Sequence, residues 1–130
     1  MSDIPADLRY SKDHLWVQPA ADLVRVGVTD FAQQSLGDVI DVTLPRSGDM
    51  VTAAEAFGDI ESVKSVSDLI APVTGTVRTR NDDLTSTPEL VNTDPYGQGW
   101  MLEVETDPAT LGQQLASLLD AAAYRDLVGA

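Results

Sequence analysis

The fold is best inferred from one stretch, Gly58-Asp59-Ile60-Glu61-Ser62-Val63-Lys64-Ser65-Val66-Ser67-Asp68-Leu69-Ile70-Ala71-Pro72-Val73-Thr74-Gly75. Apolar and polar residues alternate with a period of two on both sides of Lys64, which is typical of β-strands. A turn follows, because Pro72 and Gly75 lie just beyond the second run. The pattern predicts a β-hairpin over about residues 58–71 with Lys64 at its tip. The tip lacks the Asn-Gly or Asp-Gly pair of a two-residue primed turn, so its turn type stays open.

Lysine is scarce in this chain, and this scarcity makes Lys64 conspicuous. Only Lys12 and Lys64 occur, and the remaining basic residues apart from one histidine are arginines. An exposed hairpin lysine ordinarily pairs with neighbouring carboxylates, here Glu61 and Asp68. The alternative is covalent modification, because an amide at Nζ removes the charge and keeps the four-carbon stem as a flexible arm. The residues around Lys64 leave both interpretations open.

Several blocks of the chain, in the same order, match those of one known family. The first is the segment around Lys64, and the others are Tyr10–Val17, Val26–Gln33, Leu36–Val39, Leu44-Pro45, Ala71–Gly75 and Pro88–Trp100. Together they resemble the glycine cleavage system H proteins, and the resemblance covers the chain from about Leu8 to Tyr124. It implies that Lys64 carries lipoate through an amide. The implied flanking recognition residues are Glu61, Ser62, Val63, Ser65 and Asp68.

The resemblance implies a carrier rather than an enzyme. The arm on Lys64 would take the aminomethyl group of glycine from a pyridoxal-phosphate glycine decarboxylase to a tetrahydrofolate-dependent aminomethyltransferase. Dihydrolipoyl dehydrogenase would then reoxidise it, and a lipoate-attaching enzyme is the fourth implied partner. Two other interpretations remain open at this point. One is a lipoyl carrier of a different relay, and the other is a non-carrier β-sandwich interaction module in which Lys64 is merely exposed.

One position departs from the family pattern that the chain resembles. Many members have Glu directly before the tryptophan of the N-terminal block, where this chain has Leu15. The family's contact from that glutamate to the amine of the carried aminomethyl group therefore cannot be assigned to this chain. The resemblance also implies a groove that shelters the arm from water, and Asp68 is the candidate carboxylate for its amine. Asp13 is a candidate substitute if its strand begins early enough to place it on the same face as Leu15.

Charge and composition exclude several classes of function. The chain has 130 residues and a formal net charge of −13, so nucleic acid would be repelled. It contains no cysteine, which excludes a disulfide scaffold, a thiol nucleophile and a cysteine-ligated metal centre. His14 is the only histidine, which excludes a histidine-rich metal site and favours a packed structural role for this residue.

Length and hydropathy predict one domain over residues 1–130, and the resemblance implies that it is a lipoyl-carrier domain. The hydrophobic fraction of 43% favours a packed domain over a disordered acidic chain. No segment has the length of a membrane span, and Met1–Asp7 has neither the basic nor the apolar run of a targeting segment. The expected location is therefore a bacterial-type cytoplasm, with no membrane partner.

The periodicity along the chain predicts a mainly β fold, a small sandwich or barrel of short strands, and the resemblance narrows this to the biotinyl/lipoyl-carrier type. A short internal helix should begin at Thr29 or Asp30 and end at Gly37. A C-terminal helical segment should span about residues 107–128, with an apolar stripe of leucines. The expected strands are His14–Gln18, Asp22–Val28, Asp38–Leu44, Glu55–Val63, Ser65–Ile70, Val73–Arg80 and a last one containing Trp100, Leu102 and Val104. The segment Asn81–Pro95 is expected to be a loop with at most one helical turn, at Pro88–Val91.

Overall fold

The structure is a computed structural model that describes residues 3–20 and 23–129. The predicted strand start at Asp22 and the preceding connection through Ala21 lie outside the described residues. The strands are β1 Arg9–Tyr10, β2 Leu15–Ala20, β3 Leu23–Val28, β4 Val39–Thr43, β5 Met50–Val51, β6 Ala56–Ser62, β7 Val66–Ile70, β8 Gly75–Arg80 and β9 Leu102–Glu105. The helices are α1 Asp30–Leu36, α2 Asp83–Ser86, α3 Leu90–Thr93, α4 Pro108–Ala116 and α5 Ala121–Val128.

The strands form two antiparallel sheets. The larger has six strands in the order β1-β2-β3-β9-β8-β5, and the smaller has three in the order β4-β6-β7. The β6–β7 pair is the predicted hairpin, and it lies at one side of the smaller sheet with β7 as an edge strand. The mainly β sandwich-barrel that the sequence predicts is confirmed by this arrangement and by the structural comparison reported below.

The main core consists of aliphatic side chains contributed by both sheets. Val24, Val26 and Val28 are at most 2% exposed, which confirms the predicted apolar face of β3. From the smaller sheet, Ile60 and Leu69 enter the same core. Fully burying an aliphatic side chain of this size contributes about 1.5–3 kcal/mol, so this shared core is what fixes the hairpin on the larger sheet.

A second, aromatic core lies where the chain ends meet. Tyr10, Trp16 and Tyr124 are each 0% exposed, and the rings of Tyr10 and Tyr124 stack with centroids 4.7 Å apart. The Trp16 indole N–H donates to the carbonyl of Pro95 at 2.9 Å, so the buried ring leaves no polar group unpaired. Trp16 is therefore a core residue.

Helix α1 begins and ends where the sequence predicts, and α5 ends at residue 128, the predicted end of the C-terminal helical segment. Thr29 caps α1 by accepting from the Ala32 N–H, and Gly37 follows its last residue. In the same way, Asp120 caps α5 and Gly129, in the left-handed conformation, ends it. These short caps satisfy amide donors and carbonyls that the first and last turns would otherwise leave free.

Some predicted boundaries and elements were wrong. Residues 81–95 contain two short helices, α2 and α3, rather than a loop with one turn. Trp100 precedes β9 instead of forming part of it, and its ring contacts the guanidinium of Arg25, 4.7 Å from the ring centroid. Two strands of two residues each, β1 and β5, escaped prediction because such a short segment shows no alternation.

The leucine stripe predicted for the C-terminal helix is only partly correct. Leu111 and Leu115 pack against the main core, but no residue of α4 is fully buried. The helix ends at Ala116, so Leu118 and Leu119 lie in the connection to α5. There Leu119 and Tyr10 exchange two backbone hydrogen bonds of 2.7 and 2.8 Å, which join this connection to β1.

Within the described residues, no helix is both long and apolar enough to cross a membrane. The same part of the chain holds no group of three or more histidine, cysteine, aspartate or glutamate residues that could ligate a metal ion. The candidate functional site consists of a hairpin tip, a helix end and an apolar groove.

Candidate functional site

Lys64 lies at the tip of the β6–β7 hairpin, as the sequence predicts. The strands end at Ser62 and begin again at Val66, so the tip consists of Val63, Lys64 and Ser65. All three are exposed. The lysine is therefore accessible to another protein on a rigid two-stranded support.

The turn conformation is held by the hydroxyl of Ser62, which is only 5% exposed. Its Oγ accepts from the backbone N–H groups of Lys64 and Ser65, both at 3.2 Å. It donates to the carbonyl of Ser65 at 3.3 Å, and that carbonyl also accepts from the Ser62 N–H at 2.8 Å. A side-chain oxygen thus replaces the Asn-Gly or Asp-Gly chemistry that the sequence lacks, as serine does in other turns.

A second set of hydrogen bonds joins the tip to the end of α1. The Val63 N–H donates to the carbonyl of Asp38 at 3.1 Å. Asn92 holds this junction from α3: its side-chain N–H₂ donates to the carbonyl of Gly37 at 2.8 Å, and its carbonyl oxygen accepts from the Val39 N–H at 2.8 Å. The backbone at Lys64 is therefore fixed by three separate segments of the chain.

The Lys64 side chain lies against Gly37. The Lys64 Cε is 3.1 Å from the point where a Cβ on Gly37 would stand, which is closer than most real contacts of that kind. Gly37 also has φ of 77° and ψ of −158°, a region that is essentially restricted to glycine. The glycine thus ends α1 and leaves room for the lysine stem.

An apolar groove begins beside this contact and runs between α1 and β7. Its volume is about 220 Å³, which leaves room for a short apolar chain. Leu36, the last residue of α1, lines the end nearest Gly37 and Lys64. The other lining residues are Asp13, His14, Leu15, Val28, Phe31, Ala32, Ser35, Ile60, Ser67, Asp68 and Leu69.

The strand register determines how Asp68 is presented to this groove. Ile60 pairs with Ser67, and Asp59 pairs with Asp68. Ile60 is buried, so the Asp68 side chain belongs to the opposite, outer face of the hairpin. Ser62 and Ser65 are a hydrogen-bonded pair, and hydrogen-bonded and non-hydrogen-bonded pairs alternate along an antiparallel ladder. Three pairs further along, Asp59 and Asp68 are therefore a non-hydrogen-bonded pair. The backbone N–H and C=O of Asp68 consequently point away from β6, toward the open edge of β7.

The residues before β2 form the other wall of the groove. Leu15, which occupies the position where the resembling family often has glutamate, is 2% exposed and belongs to the main core. Asp13 lines the groove and is exposed. It precedes β2, which begins at Leu15, so it does not share a strand face with Leu15. Asp13 and Asp68 therefore lie on opposite walls of the groove, and Asp68 lies at the open edge of β7 with its carboxylate on the outer face of the hairpin.

His14 links the groove to the start of α1. Its Nδ1 lies 2.8 Å from the Tyr124 hydroxyl, which in turn lies 2.7 Å from Thr29 Oγ1. Burial lowers the pKa of His14 below its ordinary value of 6.5, although the nearby Asp13 carboxylate acts in the opposite direction. The ring also packs against Phe31, with centroids 4.9 Å apart. This environment fits the packed, hydrogen-bonded role that the sequence predicts for His14.

The other predicted recognition residues all lie on the hairpin, but they differ in access. Val63 is 65% exposed, Ser65 and Asp68 are exposed, Glu61 is half-buried and Ser62 is buried. Sequence reasoning did not assign Gly37, Asn92 or Phe31 to the site. Only Gly37 left a local signal, as a glycine directly after a predicted helix.

Comparison with known proteins identifies the relatives of this chain. The family model described as Glycine cleavage H-protein matches residues 8–129. The glycine cleavage system H protein of Mycobacterium avium (strain 104) is 58% identical over 127 residues, and the alignment covers 96% of each chain. That of Mycobacterium tuberculosis (strain ATCC 25177 / H37Ra) is 55% identical over 129 residues, again with 96% of each chain covered.

A solved structure has the same fold as this chain. The crystal structure of a glycine cleavage system H protein from Mycobacterium marinum superimposes with a TM-score of 0.87 and 39% sequence identity. The match covers 98% of this chain and all of the other. The likeness therefore extends over both sheets and the C-terminal helices.

Proposed function

The chain belongs to the glycine cleavage H-protein family, the lipoyl carriers of the glycine cleavage system, and on that premise we propose that its lipoyl group is attached through an amide to Lys64. The family is one of carriers rather than of catalytic enzymes. Family membership also favours the glycine cleavage relay over the two alternatives that the sequence left open, a different lipoyl relay and a non-carrier module. The cytoplasmic location stays a prediction.

The observation that carries the proposal is the combination of an exposed lysine tip with an adjacent apolar groove. Lys64 projects from a hairpin that Ser62 and Asp38 hold in place, so the base of an arm would be fixed while its far end moves. Tethering of this kind raises the local concentration of a carried group to the mM range for short flexible connections. Lys12, the other lysine, lies in the turn between β1 and β2 and does not line the groove between α1 and β7.

We propose that the arm visits the partners that the family resemblance implies. When bound, lipoate supplies a dithiolane whose sulfur can accept the aminomethyl group from the glycine decarboxylase and yield it to the aminomethyltransferase. Dihydrolipoyl dehydrogenase restores the oxidised form, and a lipoate-attaching enzyme installs the group. The acidic surface of the chain, with its net charge of −13, favours partners with basic docking surfaces.

The groove between α1 and β7 is the proposed resting place of the arm between visits. Its walls are largely apolar, so they exclude water from the carried group and retain the arm by burial, at about 25 cal/mol per Å² of apolar surface. Three acceptors for a charged amine lie around it: the carboxylates of Asp13 and Asp68, and the Asp68 carbonyl at the sheet edge. Exposed ion pairs contribute only about 0–1 kcal/mol, so burial supplies the rest of the retention.

The deciding experiment is the intact mass of the protein made in cells supplied with lipoate. We expect a gain of one lipoyl group in the parent and in a Lys12→Arg variant, and no gain in Lys64→Arg. Peptide mapping then places the group, and glycine–bicarbonate exchange with the decarboxylase tests the relay. A parent without the group, in cells whose ligase modifies a control substrate, contradicts the proposal, as does a group on Lys12.

A further inference from the structure

The base of the arm is surrounded by exposed apolar side chains. In the described part of the chain, five large hydrophobic residues are prominently exposed, and three of them are Ile40 (50%), Val63 (65%) and Val66 (64%). The other two, Met50 and Leu127, lie on β5 and α5. Exposed aliphatic side chains that occur singly need no explanation, but a cluster beside a functional residue indicates a contact surface.

A β-bulge in β4 brings Ile40 into this cluster. Val39 pairs with Ser62, and the next paired residue, Asp41, is opposite Glu61, so Ile40 is the extra residue. Ile40 and Asp41 are both exposed, because a bulge places two residues opposite one on the partner strand. On the other side of Glu61, the register places Val66 directly opposite it. One row across the three strands therefore contains Ile40, Glu61 and Val66.

The remaining member of the patch continues this row at the tip. The Val63 N–H donates to the carbonyl of Asp38, which places Val63 beside the start of β4. We name the group formed by Ile40, Val63 and Val66 the tip patch. Two carboxylates belong to the same surface: Asp41 lies next to Ile40, and the half-buried Glu61 lies between Ile40 and Val66. The two ion pairs found in the described residues, Arg25–Glu103 and Arg80–Asp82, both lie elsewhere, so these carboxylates are available to a partner.

We propose that the tip patch is the docking surface for the enzyme that attaches lipoate to Lys64. This inference rests on the proposed attachment at Lys64. The partner chemistry that fits is a small apolar surface that also carries basic groups, because it matches three aliphatic side chains interspersed with two carboxylates. Ile40 comes from β4, so the surface is wider than the hairpin that bears the lysine.

The position of the amide bond favours the lipoate-attaching enzyme as the partner of the tip patch. The neutral amine of Lys64 attacks the carbonyl carbon of an activated lipoyl group such as lipoyl adenylate. The new C–N bond forms as the bond from that carbon to the phosphate oxygen of AMP breaks, AMP leaves, and the nitrogen loses a proton. This reaction occurs at Nζ, one side-chain length from the hairpin, so the attaching enzyme must cover the tip patch. The relay enzymes act at the dithiolane, at the far end of the completed arm, and can stand further away.

The test compares Ile40→Thr and Val66→Thr with the control Met50→Thr. All three replace an exposed aliphatic strand residue with one that keeps good strand propensity, and Met50 is 69% exposed on β5, remote from the tip. Each unmodified protein is incubated with lipoate, ATP and a lipoate ligase, and the initial rate of mass gain gives kcat/KM. We expect a decrease of about fivefold for each tip variant, as for an interface residue worth about 1 kcal/mol, and parental values for Met50→Thr.

Two outcomes overturn the proposal while leaving attachment at Lys64 intact. The first is a parental kcat/KM for both tip variants. The second is an equal loss in the relay. Each variant, once fully lipoylated by long incubation, is assayed for the reduction of its lipoyl group by NADH and dihydrolipoyl dehydrogenase, the reverse of the reoxidation step, where we expect the parental rate. Circular dichroism and urea unfolding confirm that each variant is folded. If the parent itself gains no lipoyl group, the proposed function fails and the docking proposal fails with it.

Discussion

At the scale of single residues, Ser62 determines the conformation of the turn that presents Lys64. Its buried hydroxyl makes three hydrogen bonds within the tip, with Lys64 N–H, Ser65 N–H and Ser65 C=O. In the described part of the chain, no other side chain bonds to these tip groups. The Ser62 Oγ therefore holds the turn together with two backbone bonds, from Ser62 to Ser65 and from Val63 to Asp38.

Ser62→Ala is expected to lower the free energy of unfolding by about 1–2 kcal/mol, because buried hydrogen bonds are lost and two amide donors lose their acceptor. Lipoate attachment should also slow, since the tip becomes less ordered. Urea unfolding measures the first effect and the rate of mass gain the second. Ser65→Ala is the matched control, as Ser65 is exposed and contributes its backbone to the turn. Equal unfolding midpoints for the two variants would contradict this role of the Ser62 hydroxyl.

Gly37 is the second residue whose identity follows from geometry. Gly37→Ala should destabilise the protein by about 1–3 kcal/mol, because φ of 77° with ψ of −158° is costly for a residue with a Cβ. The new methyl group should also displace Lys64, which already lies 3.1 Å from its position. Gly112→Ala, in α4 with nothing near its Cβ position, should instead stabilise by about 0.5–1 kcal/mol. Urea unfolding of both variants checks the opposite signs.

The two groove carboxylates make a prediction that depends on the loaded arm. Asp13→Asn and Asp68→Asn should each release formaldehyde and ammonia from the aminomethylated protein up to about fivefold faster, since an exposed ion pair contributes about 0–1 kcal/mol. Asp126→Asn on α5, which is exposed and remote from the groove, is the control. Unchanged release in both groove variants would leave the Asp68 carbonyl as the acceptor.

At the scale of elements, α1 is the structural link between the groove and the C-terminal helix. Thr29 caps α1 and contacts Tyr124 of α5, which contacts His14 at the groove. When His14 Nδ1 is unprotonated, the Tyr124 hydroxyl donates to it. The Tyr124 oxygen then accepts a hydrogen bond from the buried Thr29 hydroxyl. Protonation of Nδ1 would reverse this chain of donors and leave the Thr29 proton without that acceptor.

This chain of hydrogen bonds predicts a pH dependence of stability. The pKa of His14 is lowered by burial from 6.5, so between 6.5 and the lowered value the unfolded chain binds a proton that the folded chain does not. Stability is therefore fully present above pH 6.5 and is lost as the pH falls through the folded-state pKa. His14→Asn, which tolerates the positive φ of 70° at this position, should reduce the loss of unfolding free energy between about pH 7 and pH 5. An unchanged loss in this variant would show that other groups cause it.

The elements also show why part of the site could be predicted and part could not. Lys64, the hairpin and the caps at Thr29 and Gly37 follow from patterns within a few residues. The bulge at Ile40 has no such pattern. Regular alternation places every second residue inward, and the one extra residue in β4 interrupts this alternation without a local sequence signal. The Asn92 contacts join residues far apart in sequence, so only the folded chain reveals them.

At the scale of the whole molecule, the excess of carboxylates acts on every encounter with a partner. With a net charge of −13, the carrier should meet basic partner surfaces faster at low salt, and the gain should disappear as the Debye length shortens to about 8 Å at physiological ionic strength. We expect KM for the lipoylated carrier to rise with salt while kcat changes little. The measurement is glycine–bicarbonate exchange over a range of NaCl concentrations, with sucrose as the uncharged control. A KM independent of salt would show that charge does not guide docking.

The prediction of the overall architecture was limited by connections over long distances in sequence. The alternation of single strands predicted a mainly β molecule, and the structure has that character. Their division into sheets of six and three strands depends on pairings such as Leu23 with Glu105, which no local segment encodes. The aromatic core has the same origin, because Tyr10 and Tyr124 stack from opposite ends of the chain.

The position of β9 has a consequence for the way the chain is made. This last strand, Leu102–Glu105, lies between β3 and β8 in the larger sheet and pairs with both. During synthesis, β3 and β8 are made before the strand that joins them, so each waits with an open edge. The β6–β7 hairpin, which presents Lys64 and whose strands are neighbours in sequence, can close earlier. Completion of the larger sheet is therefore a late event in translation, and an attaching enzyme that acts on nascent chains would encounter the lysine tip before the barrel is finished.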